Sequence, residues 1–269
     1  MKKILFPTDF SEAAKNAFQA ALKVARQMGA QLDVVSVFHL PFTDASSVPP
    51  EMIQKMLEES RQSCERNLAE FTAAADPGIL GKTEALYGVF ISTEVTDYAK
   101  YNHYDLIVMG TKGERNALEK MMGSVTTQTM MHAPCPVLAI PLESQAQKFT
   151  RIAYATAFEK SDNHAVEELL AFSRTIGASV HFVHVETDPD IGSEGEMIEM
   201  KEYPVYFSDF TIVNSHEITK GLDQFIQEKD MDILALFIPK RRLWERLFHQ
   251  SITKKMTFHT KVPLLIFHA

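Results

Sequence analysis

The sequence predicts an α/β protein made of two tandem copies of one unit, each with parallel strands joined by helical crossovers. Three observations carry this. Short apolar runs alternate with longer segments of helical period along the chain. The pattern occurs twice, at fixed offsets. One glycine-bearing segment, Met109-Gly110-Thr111-Lys112-Gly113 followed by Gly123-Ser124, sits where a strand hands over to a helix.

In the first copy strands are expected over 2–6, 33–38, 79–86, 105–110 and 136–140, and helices over 11–28, 51–75, 90–102 and 124–132. Leu106-Ile107-Val108-Met109 is apolar throughout, as a strand covered on both faces must be. Ser11 is a natural N-cap and Gly29 a natural C′ residue for the first helix, whose Ala14, Phe18, Ala21, Leu22 and Ala25 form one apolar face.

The second copy follows by alignment. Lys3 through Ser11 matches Arg151 through Glu159, and Val34-Val35-Ser36-Val37 matches Phe182-Val183-His184-Val185, both at an offset of 148. Tyr104 through Val108 matches Met231 through Ala235, and Pro136 through Ile140 matches Pro263 through Phe267, both at 127, so the second copy is 21 residues shorter in its middle. The loss is expected to remove the counterpart of the helix Glu51 through Ala75, because Asp188 to Pro204 holds glycines, prolines and acids with little periodicity. Ser161 and Gly177 bracket the counterpart of the first helix.

Composition narrows the function. At 269 residues and 45% hydrophobic, the chain can build two cores of ~130 residues each. A net charge of −8 gives no long-range pull toward nucleic acid or an anionic membrane, so a polyanionic ligand must be held locally. Cys64 and Cys135 stand in unrelated contexts, without zinc-type spacing, which suits a reducing, cytoplasmic compartment. No signal peptide is read at the N-terminus, and no apolar run approaches the ~20 residues of a membrane span.

The loop itself reads Gly-x2-Gly-x9-Gly-Ser. Glycine admits φ > 0 and, lacking Cβ, lets backbone N–H groups approach an anion, while a helix N-terminus offers unpaired donors. Spacing alone is a weak signal, because turn glycines are common. Asp9, after the first strand, has two readings: a ligand carboxylate, or the Asx turn that starts the first helix.

Lys3-Ile4-Leu5-Phe6-Pro7-Thr8-Asp9-Phe10-Ser11, the strand ending in Val37, the Met109 to Ser124 loop and Pro134-Cys135-Pro136-Val137-Leu138 together resemble the universal stress protein family in its tandem-domain form. The resemblance is close over 1–142 and looser over 150–269, which sets two domains with the polar stretch 142–150 between them. It implies, in each, a doubly wound (Rossmann-like) five-stranded parallel sheet of order 3-2-1-4-5, and in the first the glycine loop of the ATP-binding branch. Ligands of such sheets bind beyond the strand carboxyl ends where strand order reverses. Carried over residue by residue, Pro7, Thr8, Asp9 and Val37 hold the adenosine portion, Met109 and Gly110 line the pocket, and Gly113, Gly123, Ser124 and Val125 contact phosphates. The cofactor implied is ATP, with or without Mg2+; no residue is assigned to catalysis and none to a protein-held metal. Lys112 and Arg115 stand open between phosphate contact and solvent.

By the same offsets the second copy carries Ala157 for Asp9, Ala155 for Pro7, Phe237 for Gly110, Lys240 for Gly113 and Gln250 for Gly123, while Thr156 and Ser251 survive. It is expected not to bind ATP in the same manner. Lys240 through Phe248, with Trp244 among four cations, reads either as a partner site or as a solvated helix turn. His181 and His184 are three apart on a strand and face opposite sides, so they do not share an ion. The functional expectation is a cytoplasmic, nucleotide-binding stress-response protein. In it the second copy pairs with the first through the fifth strands, Val137 to Ile140 and Leu264 to Phe267, as a pseudo-dimer, with a homodimer also open. A slow ATPase and a non-catalytic interaction module for another small ligand are the alternatives.

Overall fold

A computed structural model describes residues 2–40, 48–111, 123–144, 148–156, 163–187, 209–238 and 261–268. In chain order the first half runs β1 (Lys3–Pro7), α1 (Glu12–Met28), β2 (Gln31–Phe38), α2 (Pro50–Thr72), β3 (Leu80–Tyr87), α3 (Ile91–Tyr101), β4 (Leu106–Gly110), α4 (Ser124–His132) and β5 (Val137–Ile140). The second runs β6 (Arg151–Ala155), α5 (Asn163–Ile176), β7 (Ser179–Glu186), β8 (Phe210–Asn214), α6 (Ile218–Glu228), β9 (Ile233–Ile238) and β10 (Leu264–His268). The expected helix loss falls on 188–208, and the expected cap Ser161 also lies outside the described residues.

All ten strands form one sheet of order β3-β2-β1-β4-β5-β10-β9-β6-β7-β8. Each half therefore has the doubly wound order 3-2-1-4-5, with parallel pairing inside each half. β5 and β10 meet antiparallel, Leu264 opposite Ala139, Leu265 opposite Leu138 and Ile266 opposite Val137. One apolar layer covers each face. Residues of α1, α2 and α5 pack with Ile4, Phe6, Val108 and Tyr154 on one side, and residues of α3, α4 and α6 pack with Leu5, Val35, Ile107 and Leu234 on the other.

Local chemistry fixes where α1 begins and ends. Ser11 Oγ accepts from the Ala14 N–H at 3.2 Å, and Gly29 closes the helix in the left-handed region at φ 59°. Ala30 N–H then reaches back to Ala25 O at 2.9 Å, satisfying a carbonyl that the helix end leaves unpaired. Of the expected apolar face, Ala14, Phe18, Ala21 and Ala25 are buried and Leu22 packs at the edge of the layer.

The sequence repeat has a structural counterpart in how the first and fourth strands of each half are tied. Asp105 Oδ2 accepts from the Lys3 N–H at 2.8 Å, and Asp105 N–H donates to Lys3 O at 2.9 Å. In the second half Asp232 does the same with Arg151, at 2.9 Å each way. Buried Asp33 acts elsewhere in the sheet. Its carboxylate accepts from Lys82 N–H at 2.6 Å and from the Tyr104 hydroxyl at 2.7 Å, across the irregularity where β2 meets β3. Burial, and then the bond to Asp33, push the Tyr104 phenol far above its ordinary range, so it remains a donor.

Two substitutions test this frame by urea unfolding. Gly29→Ala forces a side chain into φ > 0 and should cost about 1 kcal/mol. Tyr104→Phe strips one partner from a buried carboxylate and should cost about 1–3 kcal/mol. Both should lower the midpoint without changing the slope.

Candidate functional site

The first and fourth strands of the first half are neighbours in the sheet but lead to helices on opposite faces, which opens a crevice beyond their carboxyl ends. β1 delivers Pro7, Thr8 and Asp9 to one lip. Thr8 N–H donates to Val35 O at 2.9 Å, prolonging the ladder by one bond, and buried Thr8 Oγ1 accepts from Phe10 N–H at 3.0 Å. Asp9, exposed, accepts from Ser11 N–H through Oδ1 at 3.1 Å. The Asx-turn reading of Asp9 is thus present in the geometry. The turn fixes the orientation of the Asp9 carboxylate just beyond β1.

Phe10 adds a constraint that residue patterns did not reveal. It stands at φ 64°, a conformation costly for a bulky side chain. Its ring packs edge-on against Phe71 of α2, at 5.9 Å between centroids. That packing and the two side-chain bonds at Thr8 and Asp9 hold the turn in place.

The other lip is built by β4 and α4. Thr111 N–H donates to Ile140 O at 3.0 Å and Gly123 N–H to Thr111 O at 2.7 Å, so the two ends of the glycine segment are stitched together. Thr126 Oγ1 donates to Gly110 O at 2.8 Å, and Thr127 donates to Gly123 O from both N–H (3.0 Å) and Oγ1 (3.1 Å). Gly123 is the N-cap of α4 and no side chain caps it. The first N–H groups of α4, from Ser124 onward, therefore point out of the helix end without intrahelical acceptors, next to an exposed Ser124 hydroxyl. Such an end attracts anions.

Val37, Met109 and Val125 all belong to the apolar layer on the α3/α4 face, Met109 buried and the two valines half-buried. Pro7, Thr8, Asp9, Gly110, Gly123 and Ser124 occupy the strand and helix ends around them. Gly113, with Lys112 and Arg115, lies outside the described residues. One physical expectation needs correction. Gly123 has φ −61°, and the described glycines with positive φ are Gly29 and Gly177. Gly110 and Gly123 therefore do not act through a left-handed backbone. Thr126 and Thr127 are the residues that sequence reasoning left without a role, although they stand directly behind Gly-Ser.

The equivalent place in the second half is built differently. Thr156 N–H donates to Val183 O at 3.0 Å, matching Thr8, but Phe237 at the Gly110 position packs against the apolar layer of the α1/α5 face. His184 Nδ1 lies 2.9 Å from Thr156 O and donates to it, while His181 on the other face pairs with Asp209 at 2.5 Å. No group of three metal-ligating side chains occurs among the described residues. Ala157, Lys240, Trp244, Gln250 and Ser251 lie outside them.

Neither cysteine is poised as a nucleophile. Burial pushes the Cys135 thiol up to about 12 and also raises Cys64. No helix among the described residues is long and apolar enough to cross a membrane.

Two doubly wound units joined edge to edge, with an uncapped helix N-terminus following the fourth strand of the first, define a tandem α/β protein. A model of the universal stress protein family matches residues 1–141, and the chain belongs to that family. It is 31% identical over 141 residues to a universal stress protein of Methanocaldococcus jannaschii, covering 52% of this chain and 81% of that one. It is 32% identical over 145 residues to one from Synechocystis, covering 52% and 85%. Among solved structures, a universal stress protein from Archaeoglobus fulgidus superposes with TM-score 0.68 at 20% identity, over 99% of this chain and 98% of the other, which extends the fold likeness through the second half.

Thr126→Val should remove the tie between α4 and β4 at a cost of about 1 kcal/mol and speed amide hydrogen exchange in the first turn of α4. In the native protein at pH 7.5, iodoacetamide should leave Cys64 and Cys135 largely unmodified, with both alkylated after denaturation; mass spectrometry of the intact chain reads the difference.

Proposed function

We propose that the chain is a cytoplasmic stress-response protein with one ATP site, in its first half, and that it acts by binding the nucleotide rather than by efficient hydrolysis. The observation that carries the reading is the uncapped N-terminus of α4, held by Thr126 against the end of β4, with Thr127 bonded to the cap residue Gly123, beside the switch point of the sheet. Its N–H groups and the Ser124 hydroxyl supply donors for phosphate oxygens, with Gly110 and Gly123 adding no side chain of their own and Gly113 in the sequence between them. Asp9 and Thr8 supply polar groups for the adenosine portion, and Pro7, Val37, Met109 and Val125 supply apolar surface for the base. Mg2+, if bound, takes its ligands mainly from the phosphates and water, as that ion prefers.

In this reading the two domains are residues 1–142 and 150–269, and the second is a built-in partner that completes a pseudo-dimer through β5 and β10. Phe237 supports the assignment of one site per chain, since a packed ring stands where backbone approach is needed. Because β10 already occupies the edge of β5, further association between chains would use another surface. The two free cysteines suit a reducing compartment.

Equilibrium dialysis with ATP tests the proposal on wild type, Gly123→Val, Asp9→Ala and Phe237→Gly. Wild type should bind one nucleotide per chain. Gly123→Val and Asp9→Ala should each weaken binding about 10-fold or more, equivalent to about 1.4 kcal/mol, and Phe237→Gly should leave it unchanged. No binding by wild type, or equal binding by all four, overturns the site; a mass spectrum of the purified, denatured protein independently shows whether adenine nucleotide accompanies it.

A further inference from the structure

The antiparallel meeting of β5 and β10 places the end of β10 beside the segment where α4 turns into β5. The carbonyl of Met130 is among the last four of α4, which the helix leaves without an intrahelical donor, and Pro134 just past the extended cap Ala133 has no N–H to offer it. His268, the last residue of β10, supplies the missing donor: its Nε2 lies 2.5 Å from Met130 O. A carbonyl only accepts, so Nε2 carries the proton, and in the neutral ring Nδ1 is left as an acceptor. Nδ1 is buried and has no hydrogen-bond partner among the described residues.

α4 is thus tied at both ends. Thr126 fixes its first turn to Gly110 of the same half, and His268 fixes its last turn from the other half. Nine residues of helix span only about 13 Å, a length over which the helix behaves as one rigid piece. A shift at Met130 is therefore delivered to Gly123, Ser124 and Val125. The tie runs one way. At the offset of 127 the counterpart of His268 is Pro141, which carries no side-chain donor.

We propose that His268 is a positioning residue by which the second half sets the orientation of α4 and hence the affinity of the first half for its nucleotide. This rests on the reading of the α4 N-terminus as the phosphate site. It gives the second half a role that the loss of its own glycines leaves unexplained.

The same geometry makes the tie sensitive to pH. Protonation would add a charge and an unpartnered N–H at buried Nδ1, and among the described residues its surroundings offer no compensating carboxylate. On β9 it is paired with Ile238, the β5 register carried past Ile266 brings it level with Cys135, whose thiol burial holds protonated, and the titratable group of α4 acting on it is His132, itself a potential cation. Burial, opposed by the bond to Met130 and aided by His132, holds the ring below its ordinary value of 6.5. With the folded value depressed, the contribution to stability is complete above pH 6.5 and is lost as pH falls.

The test uses the full chain as wild type, His268→Ala and His268→Gln, the last able to place an amide donor near Met130 O. ATP affinity and amide exchange of α4 against α3 are measured at pH 7.5, and melting temperature at pH 7.5 and 5.5. His268→Ala should raise the Kd for ATP about 3- to 10-fold and speed exchange in α4 but not α3. His268→Gln should restore both and show a smaller drop in melting temperature between the two pH values than wild type. Unchanged affinity in a folded His268→Ala that accompanies an ATP-binding wild type overturns the proposal. If wild type binds no ATP, the nucleotide reading fails, and the exchange comparison still decides the tie: unchanged α4 protection in both variants overturns it. Should His268→Ala not fold, His268→Gln with wild-type affinity but the smaller pH response supports the tie, and His268→Gln with weakened affinity and the same pH response as wild type overturns it.

Discussion

The antiparallel ladder between β5 and β10 is the constraint on which the rest of the molecule depends. All four residues of β5 are buried, so its backbone groups cannot turn to water for partners. A buried strand with an unpaired side would leave a row of costly N–H and C=O groups, and in isolation an edge that recruits other chains. Pairing Val137, Leu138 and Ala139 with Ile266, Leu265 and Leu264 removes that cost and fuses two five-stranded sheets into one of ten. The apolar layers then run across both halves, and α1 packs beside α5 on one face of the combined sheet.

That fusion also explains how two related halves can diverge without losing the fold. Backbone ties such as Asp105 to Lys3 and Asp232 to Arg151, or Thr8 to Val35 and Thr156 to Val183, are kept because the strand order needs them. Positions around the switch point are under no such demand. Gly110 carries no side chain in one half, whereas Phe237 adds a ring to the apolar layer in the other. Once the halves share a sheet, the second can act on the first through the ends of elements that cross between them, which is where His268 meets α4.

Much of this was legible in the residues. The nine elements of the first half lie close to where periodicity and glycine placement put them, because Ser11 and Gly29 carry their capping chemistry in their own side chains and because uninterrupted apolar runs have no alternative but a covered strand. Pro7, Thr8, Asp9, Val37, Met109, Gly110, Gly123, Ser124 and Val125 stand at the element ends that the strand-to-helix handovers imply. Less legible was the means of holding them. Thr126 and Thr127 act on carbonyls, and a threonine in a helix announces nothing about which carbonyl it will meet. Phe10 at φ 64° was invisible because no residue preference favours a phenylalanine there; its ring contact with Phe71 of α2 is a long-range fact. A missing Cβ and a left-handed backbone are separate uses of glycine, and Gly123, at φ −61°, does not make the second.

By itself the sequence determined the class of fold, the duplication, the family and the asymmetry of the glycines, since each is written in local pattern or in the comparison of one half with the other. Only the tertiary structure decided which atoms meet. The helix end that leaves Met130 O without an intrahelical donor is marked in the chain by Pro134, but the partner comes from 138 residues away, through the register of two antiparallel strands. Register across a sheet depends on how whole apolar faces pack, and no short stretch of residues encodes it.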